Sequence, residues 1–496
     1  MAKVSLFTLE DAKAAFTLFC GIYGIGTLGM PGNFSRAGPI LATVAMAFMA
    51  LANTYSSVAI CRVMLLAPRS ARTYGDIGEW CMGRPGRYIS VTTQIINCLM
   101  IPCMFLVLGG SLLDGLFPGG FGATTWIILM AFSCLPVCMV PTLKEGAAIA
   151  FAGCMATLIA DVISVTVVMH GMRGHPSVPP PDINIKQVVG TFGNLALAYG
   201  AGILIPALQR QHSNPERMPR VVGVTMAFIS CCFLVLASTA YSSVGCQISG
   251  NLLWSIYPDS VTGLTTLGFA SDRGMVVLAY LFMQLHITIA FSVALNPAFY
   301  FAERIVLGMH KPAVFDIENN VMGYATATTP ADVVEHSEKK SRVSKRSSLT
   351  ITADESEQFG DSEVEAAEYR GANTFKYVIL RIVIIFILVV ASVLLKDHFH
   401  DLADFVGSSC ITLNSIVLPI LFLLKKRWCM LPMWEKILAL TVVGVCFCLG
   451  CYVTYTSGKN LFAHGEDDTS FPFCAAEFEN VVYYNYSMAH DSKVRV

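Results

Sequence analysis

Two glycine-rich runs lie inside long apolar stretches of the sequence. Residues 20–32 contain five glycines and one proline, and residues 199–206 contain two glycines and end in a proline. Glycine costs about 1 kcal/mol and proline about 3 kcal/mol in a helix interior, so both runs predict local unwinding. Unwound backbone presents N–H groups that suit a carboxylate, and C=O groups that suit an ammonium or a cation. A zwitterionic ligand fits both kinds of group.

An acidic side chain inside an apolar stretch is a second candidate for chemistry. A charge at the bilayer centre costs roughly 3 kcal/mol or more, and Asp161 lies well inside such a stretch. Thr157 and Ser164 share its helical face, which predicts that the carboxyl group points away from lipid. We hypothesise that Asp161 takes up and releases a proton or supports a cation. The alternative is a neutral carboxyl group that is hydrogen-bonded to a neighbouring helix.

Polar residues recur at every fourth position between 284 and 296. Gln284, Thr288, Ser292 and Asn296 form one stripe on an otherwise apolar helix, which predicts that this face lines a wet space. His286 lies about 120° from Ser292 around the same helix. It is either a proton relay or a histidine that is hydrogen-bonded to a neighbouring helix.

The elements that must position these residues are membrane helices. Charged residues make up 14% of the 496 residues and the mean hydropathy is +0.60, which excludes a water-soluble globule. Long runs without charge match the roughly 20 helical residues that cross a bilayer. We predict an all-α integral membrane protein with eleven spans, at 12–34, 39–66, 88–114, 124–142, 146–170, 188–210, 220–243, 274–306, 376–396, 405–424 and 435–456.

The distribution of basic residues predicts the orientation. A cytoplasmic N-terminus places 25 of the 33 Lys and Arg residues inside and 8 outside, which agrees with the positive-inside rule. The long polar loop between the eighth and ninth spans has the composition of a disordered segment. The predicted parts are a cytoplasmic N-terminus (1–11), spans one to eight (12–308), a disordered cytoplasmic loop (309–373), spans nine to eleven (374–456) and an extracytoplasmic tail (457–496).

Several kinds of function find no support in the sequence. It contains no Walker loop, metal-spaced Cys/His set or nucleophile elbow, so we predict no enzyme, no cofactor and no bound metal. The sequence has no basic domain of the kind that binds nucleic acid, so we predict no nucleic-acid partner. Cys246 and Cys474 both fall on the outer side and could form a disulfide, although we expect unpaired thiols.

The two glycine-rich runs fall in the first and sixth spans. Spans five positions apart cross the membrane in opposite directions, which predicts an inverted repeat of five plus five helices and one extra helix. Small residues that allow close helix packing are the alternative explanation. The proline that closes each run favours broken helices.

These residues resemble the amino acid/auxin permease family, which has the leucine-transporter-like fold. Residues 24–31, Gly-Ile-Gly-Thr-Leu-Gly-Met-Pro, followed by Ala37-Gly38, are similar to the first-helix pattern of the family. Tyr199-Gly200 with residues 206–209, Pro-Ala-Leu-Gln, and Pro215 resembles its sixth-helix pattern. The resemblance implies a transporter of free amino acids that is driven by a proton or sodium gradient.

The resemblance also implies positions for a coupling ion. In this fold the fifth helix flanks the first and eighth helices near the cation site. The resemblance therefore implies that Asp161, in the fifth helix, lies near that site. Hydroxyl groups of the eighth helix join first-helix carbonyls around sodium in sodium-coupled relatives, which makes Thr288 and Ser292 the matching residues. Many relatives use protons instead, and Asp161 and His286 are the candidates for that role.

We therefore predict a secondary active transporter, a symporter, that moves an amino acid by alternating access, with a proton favoured over sodium. The rivals are an amino-acid sensor without net transport and a channel. The protein is predicted to be a monomer in the plasma membrane or in a vacuolar or lysosomal membrane. The predicted substrate-binding residues are Ile22, Gly24, Ile25, Gly26, Thr27, Tyr199, Gly200 and Gly202, with Tyr199 as a gate.

Overall fold

The structure of the protein is a computed structural model. It describes residues 7–68, 71, 73–139, 146–173, 179–259, 261–309, 313–316, 321–324, 369, 371–462 and 473–475. Its α-helices are α1 (Leu9–Ile22), α2 (Met30–Met64), α3 (Tyr74–Met82), α4 (Arg84–Leu116), α5 (Ala123–Cys138), α6 (Gly146–Gly171), α7 (Ile185–Ala198), α8 (Ile205–Gln211), α9 (Met218–Val244), α10 (Leu252–Ser255), α11 (Arg273–Ala302), α12 (Ala372–Leu394), α13 (Phe399–Val406), α14 (Leu418–Arg427) and α15 (Met433–Phe462).

Eight helical segments of the described chain are long and apolar enough to cross a membrane, and α5 is a shorter apolar helix. Each of the eleven predicted spans falls on helical structure. The first predicted span comprises α1, a 3-10 turn and the start of α2, and the sixth comprises α7 and α8. Gly38 separates the first span from the second, because its φ of 74° is left-handed and Pro39 follows it.

The helices pack in two groups. In the first group α2 packs along α9 and α7, and α1 packs on α9. In the second group α11 packs along α6, α4 and α5, and α12 packs on α4. The first group carries both glycine-rich runs, while α6 and α11 of the second group carry the ionisable residues inside the membrane. The interface between the groups is therefore where the predicted site residues can meet.

Some local structure departs from the sequence prediction. A two-stranded antiparallel hairpin, β1 (Ala313–Asp316) and β2 (Val321–Tyr324), lies within the segment predicted to be disordered. The other residues between 310 and 368 lie outside the described residues. The loop after the second span contains α3, which begins with a capping box in which Thr73 and Asp76 bond each other's backbone. The tenth span includes two π-helical turns, at 407–411 and 413–417.

Cys246 and Cys474 form a disulfide, so the expectation of unpaired thiols is wrong. The tail segment around Cys474 folds back onto the loop before α7, where the amide of Asp182 donates to the Phe473 carbonyl at 3.0 Å. The amide of Cys246 donates to the Pro179 carbonyl of the same loop at 3.0 Å. These contacts join residues far apart in the sequence, so no local pattern predicts the pairing.

Replacing either cysteine is expected to destabilise the protein. Cys474→Ser frees a loop of 228 residues, and loss of such a link costs about 2–4 kcal/mol. The apparent Tm of the detergent-purified protein should fall by several degrees. Cys246→Ser should have the same effect and the double variant no larger one, while Cys429→Ser, at an exposed free thiol, should leave Tm unchanged. Additive losses from the two single variants would contradict the pairing.

Candidate functional site

The first glycine-rich run breaks its helix. The helix α1 ends at Ile22, and Tyr23 (φ −76°, ψ 95°) and Gly24 (φ −152°, ψ −148°) are extended. Residues 25–29 then form a 3-10 turn before α2 begins at Met30. The predicted interruption is confirmed, although its extended part begins at Tyr23, one residue before the predicted break at 24–27.

The second glycine-rich run breaks its helix in the same way. The helix α7 ends at Ala198, residues 199–204 are not helical, and α8 begins at Ile205 with Pro206 in its first turn. Pro206 has no N–H group to continue a ladder, so it favours a new helix start at this position. The sixth predicted span is therefore two short helices with an irregular connection, as its sequence predicts.

The two breaks lie against each other. A Cβ atom added at Gly26 would lie 2.7 Å from the Ala198 Cα atom, so only glycine permits this approach. One turn away, Asn33 donates from Nδ2 to Asn194 Oδ1 at 3.1 Å and ties the two broken spans together. The spans that the sequence marks as unusual are thus neighbours in the fold.

Both breaks leave backbone groups without a helical partner. Within the described residues, the amides of Gly24, Ile25 and Gly26 have no hydrogen-bond acceptor, whereas the Thr27 amide donates to the Gly24 carbonyl at 3.0 Å. In the second break the Gly202 amide donates to Ser415 Oγ at 3.3 Å. Three of the four amides that the sequence predicts to bind a carboxylate are therefore available.

Asp161 lies beside the first break. Its side chain is buried, and Thr27 Oγ1 lies 3.1 Å from Asp161 Oδ1 and 3.0 Å from the Gly24 carbonyl oxygen. The side chain of Tyr23 also interacts with this carboxyl group. A threonine hydroxyl has one proton to donate, so the Asp161 carboxyl group and the Gly24 carbonyl share it. Thr157 and Ser164 lie buried on the same face, as predicted.

His286 approaches the same break from α11. Its Nδ1 atom lies 3.0 Å from the Gly153 carbonyl oxygen, and a carbonyl can only accept, so Nδ1 carries a proton. In the neutral ring Nε2 is then an acceptor. A Cβ atom added at Gly24 would lie 3.1 Å from Nε2, which shows that this atom faces the break.

The polar stripe of α11 faces elsewhere. Gln284 donates from Nε2 to the Gly109 carbonyl at 2.6 Å, and Thr288 lies beside Cys134 of α5. The hydroxyl groups of Thr288 and Ser292 donate to carbonyls of their own helix, both at 2.9 Å. Among the described residues, neither hydroxyl group bonds to the first break. The structure thus brings Asp161 and His286 beside Gly24, whereas the hydroxyl groups of Thr288 and Ser292 donate within their own helix.

Aromatic side chains connect the two breaks. Phe233 of α9 meets Tyr199 edge-on, with ring centroids 5.1 Å apart, and stacks on Tyr23 at 5.7 Å. Tyr199 is buried. Sequence reasoning missed Tyr23 and Phe233, because an aromatic residue in an apolar span carries no signal of its partner.

Two ion pairs with a buried carboxylate lie near the two ends of the first span. Where the first span leads into the second, Arg36 Nη1 lies 2.9 Å from Asp404 Oδ2. At the N-terminal end of the first span Arg217 Nη2 lies 2.6 Å from Asp11 Oδ2, and His212 Nε2 lies 3.1 Å from Asp11 Oδ1. The sequence gives no indication of these pairs, whose partners are more than 200 residues apart in both cases.

Comparison with solved structures agrees with this architecture. The chain aligns with MhsT in complex with L-phenylalanine at a TM-score of 0.52 and 12% identity, over 90% of this chain and 98% of that one. A manganese transporter of Eremococcus coleocola aligns at a TM-score of 0.51 and 10% identity, over 92% and 89% of the two chains. At these identities the similarity establishes the fold, which is the leucine-transporter-like fold.

Curated relatives are more similar in sequence but match over shorter regions. The amino acid transporter AVT1I of Arabidopsis thaliana is 26% identical over 47% of this chain and 60% of its own length. The vacuolar amino acid transporter 7 of Saccharomyces cerevisiae is 24% identical over 48% of this chain and 51% of its own. The chain thus spans between half and three fifths of these two relatives.

The profile of one family matches residues 11–461, which include both breaks, Asp161 and His286. The chain therefore belongs to the transmembrane amino acid transporter protein family.

Proposed function

We propose that this protein is a secondary active transporter of amino acids that uses a proton gradient. The observation that carries this proposal is the contact between the two breaks, where Gly26 lies against Ala198 and three amides are available beside it. Unwound backbone at mid-membrane depth needs a polar partner, because lipid offers none. A small zwitterion satisfies the free amides and carbonyls together.

The bound amino acid is oriented by main-chain groups. Its carboxylate accepts from the amides of Gly24, Ile25 and Gly26, and its ammonium donates to carbonyls near Ile22 and in the second break, 199–202. Tyr199 closes over the site. These main-chain contacts bind the carboxylate and the ammonium, which all amino acids share. The names of the relatives, which are amino acid transporters of a plant and a yeast, support this substrate class.

Coupling to protons runs through Asp161 and Thr27. When Asp161 is ionised, it attracts the Thr27 hydroxyl proton; when it is protonated, it can donate to Thr27 Oγ1, and the hydroxyl proton then goes to the Gly24 carbonyl. The protonation state of Asp161 thereby sets how many acceptor sites Gly24 offers to an ammonium. His286, with Nε2 towards Gly24, is a second proton acceptor at the same break. Two titratable groups at one break favour a proton over sodium.

Alternating access requires that each end of the site open in turn. The ion pairs Arg36–Asp404 and Asp11–Arg217 hold the outer and cytoplasmic ends of the first span to other spans. Breaking one pair while the other stays intact opens the site to one side only. The carboxylate of each pair is buried, so opening must also rehydrate this charge, which limits how often both ends open together.

Eleven crossings and a five-plus-five repeat are part of this proposal. Cys246 and Cys474 are bonded, so an even number of crossings must separate them, and four predicted spans lie between. Arg36 and Asp404 are separated by eight predicted spans, which is also even. A disulfide further favours an oxidising compartment on that side, such as the cell exterior or a vacuolar lumen. The yeast relative named as vacuolar is consistent with a vacuolar membrane as well as the plasma membrane.

Uptake into proteoliposomes tests the proposal. The purified full-length chain is reconstituted, and labelled amino acids are supplied singly under an imposed proton gradient or an imposed sodium gradient. We expect saturable accumulation of at least one neutral amino acid with the proton gradient alone, and faster flux when unlabelled substrate is present on the opposite side. Non-saturable flux without this acceleration would indicate a channel, and binding without flux would indicate a sensor.

A further inference from the structure

We propose that Asn97 and Asn414 form a side-chain recognition site for neutral amino acids whose side chain ends in a primary amide. The inference rests on the proposed function, because it assumes that the backbone of the amino acid is held at the two breaks. The backbone groups at the breaks do not distinguish between substrate side chains, whereas this site does. Neither asparagine belongs to the main-chain site described above.

One face of α4 points towards the tenth span. Thr93, Asn97, Ile101 and Met104 follow each other at steps of four, four and three residues, so they share this face. Thr93 Oγ1 lies 2.7 Å from Asn414 Oδ1, and Met104 and Ile101 pack in one cluster with residues of the tenth span. Asn97 lies between these two contacts and therefore faces the tenth span as well.

Both asparagines carry a buried polar atom without a partner. Asn97 is 6% exposed and its Oδ1 has no hydrogen bond, and Asn414 is fully buried and its Nδ2 has none. Thr93 Oγ1 also lies 2.7 Å from the Ile89 carbonyl oxygen, which can accept the single hydroxyl proton. Thr93 Oγ1 can therefore either donate to the Asn414 amide or accept from it, so either end of this amide can face Thr93. In both orientations the other end of this amide lacks a partner.

The part of the tenth span that carries Asn414 packs against the breaks. A Cβ atom at Gly200 would lie 3.0 Å from Ile411 Cγ2, and the Gly202 amide bonds to Ser415, the residue after Asn414. Ile25 of the first break packs in the same apolar cluster as Ile411. In this proposal a side chain that extends from a zwitterion held at the breaks runs along these apolar residues towards the asparagines.

The chemistry of the two atoms selects the ligand. A primary amide has an oxygen that accepts and an N–H₂ group that donates, so it can bond to Asn97 Oδ1 and to the free end of Asn414 in either orientation. No charged side chain takes part in the contacts that define this part of the site. A charged substrate side chain would remain buried without compensation, and an aliphatic one would leave both asparagine atoms unsatisfied.

Selectivity of uptake tests the inference. Labelled glutamine, leucine, glutamate and alanine are compared in proteoliposomes, with alanine as the substrate that does not reach the asparagines. We expect kcat/KM for glutamine to exceed that for leucine at least tenfold, because a site built to bond a polar group rejects an analogue that lacks it. Asn97→Leu should remove most of this preference and change alanine uptake by less than about twofold.

A matched control is Gln284→Leu. Gln284 is a buried amide with an unpartnered Oε1 atom, but it bonds to Gly109 on the outer part of α4, twelve residues beyond Asn97. Its replacement should leave the ratio of glutamine to leucine uptake unchanged. Asn414→Asp is a second variant that keeps the shape of the side chain, and it should lower glutamine uptake more than alanine uptake.

Each outcome decides one of the two proposals. Alanine accumulation without a preference for glutamine would overturn the inference and leave the proposed function intact, and so would equal effects of the Asn97 and Gln284 variants. If no amino acid accumulates, the proposed function fails. In that case, thermal stabilisation of the purified chain by glutamine but not by leucine would still support the recognition site, and equal stabilisation by both would overturn it.

Discussion

Asp161→Asn is expected to abolish accumulation of substrate under a proton gradient while exchange of substrate across the membrane continues. The asparagine side chain keeps the shape of the carboxyl group and can still bond to Thr27 Oγ1, which lies 3.1 Å from Asp161 Oδ1. It cannot take up or release a proton. The step that ties the proton gradient to the first break is therefore lost, whereas the main-chain groups that hold the amino acid remain.

Two measurements separate coupling from binding in this variant. Accumulation driven by an imposed proton gradient should stop at equal concentrations on both sides, and counterflow of labelled against unlabelled substrate should persist. Ser164→Ala is the matched control, because Ser164 is buried on the same face but donates to the Ala160 carbonyl of its own helix at 2.7 Å. Unchanged proton-driven accumulation in Asp161→Asn would show that this carboxyl group is only a structural hydrogen-bond partner.

The positions of the breaks could be predicted from the sequence because their cause is local. Glycine and proline weaken a helix wherever they occur, and no distant contact is needed to see the effect at residues 20–32 and 199–206. Asp161 was also predictable, since a carboxyl group in lipid is costly and must face a partner. In both cases the residue type alone implies an energetic cost in a membrane helix, and contacts in the fold offset that cost.

Contacts between distant residues could not be predicted in this way. Arg36 and Asp404 are 368 residues apart, and neither residue type nor spacing indicates that they meet. The rotation of a helix about its axis could not be predicted from the sequence either, because it depends on the neighbouring helices that pack on each of its faces. The polar stripe of α11 shows this: it is a regular pattern in the sequence, yet Gln284 bonds to α4, and it is His286, on another side of the helix, that faces Gly24.

On one side, the first break is held by close contact with the sixth span. Gly26 lies against the backbone of Ala198, and Asn33 and Asn194 bond across the two spans. If the site opens as proposed, we therefore expect the first and sixth spans to move together. On the other side, the contacts of Thr27 with Asp161 and of Arg36 with Asp404 join the first span to helices that do not carry a break. Opening of the site is expected at these contacts.

Gly26→Val is expected to stop transport almost completely, because its Cβ atom would lie 2.7 Å from the Ala198 Cα atom, where only backbone movement can make room. Overpacking of this kind costs about 3 kcal/mol, which would lower the population of the arrangement with the two breaks in contact, and with it the rate, roughly a hundredfold. Gly223→Val is the control, since a Cβ atom there meets nothing within 4 Å. Initial uptake rates, normalised to the amount of folded protein, measure the effect. Equal rates for the two variants would mean that the breaks do not need this close approach.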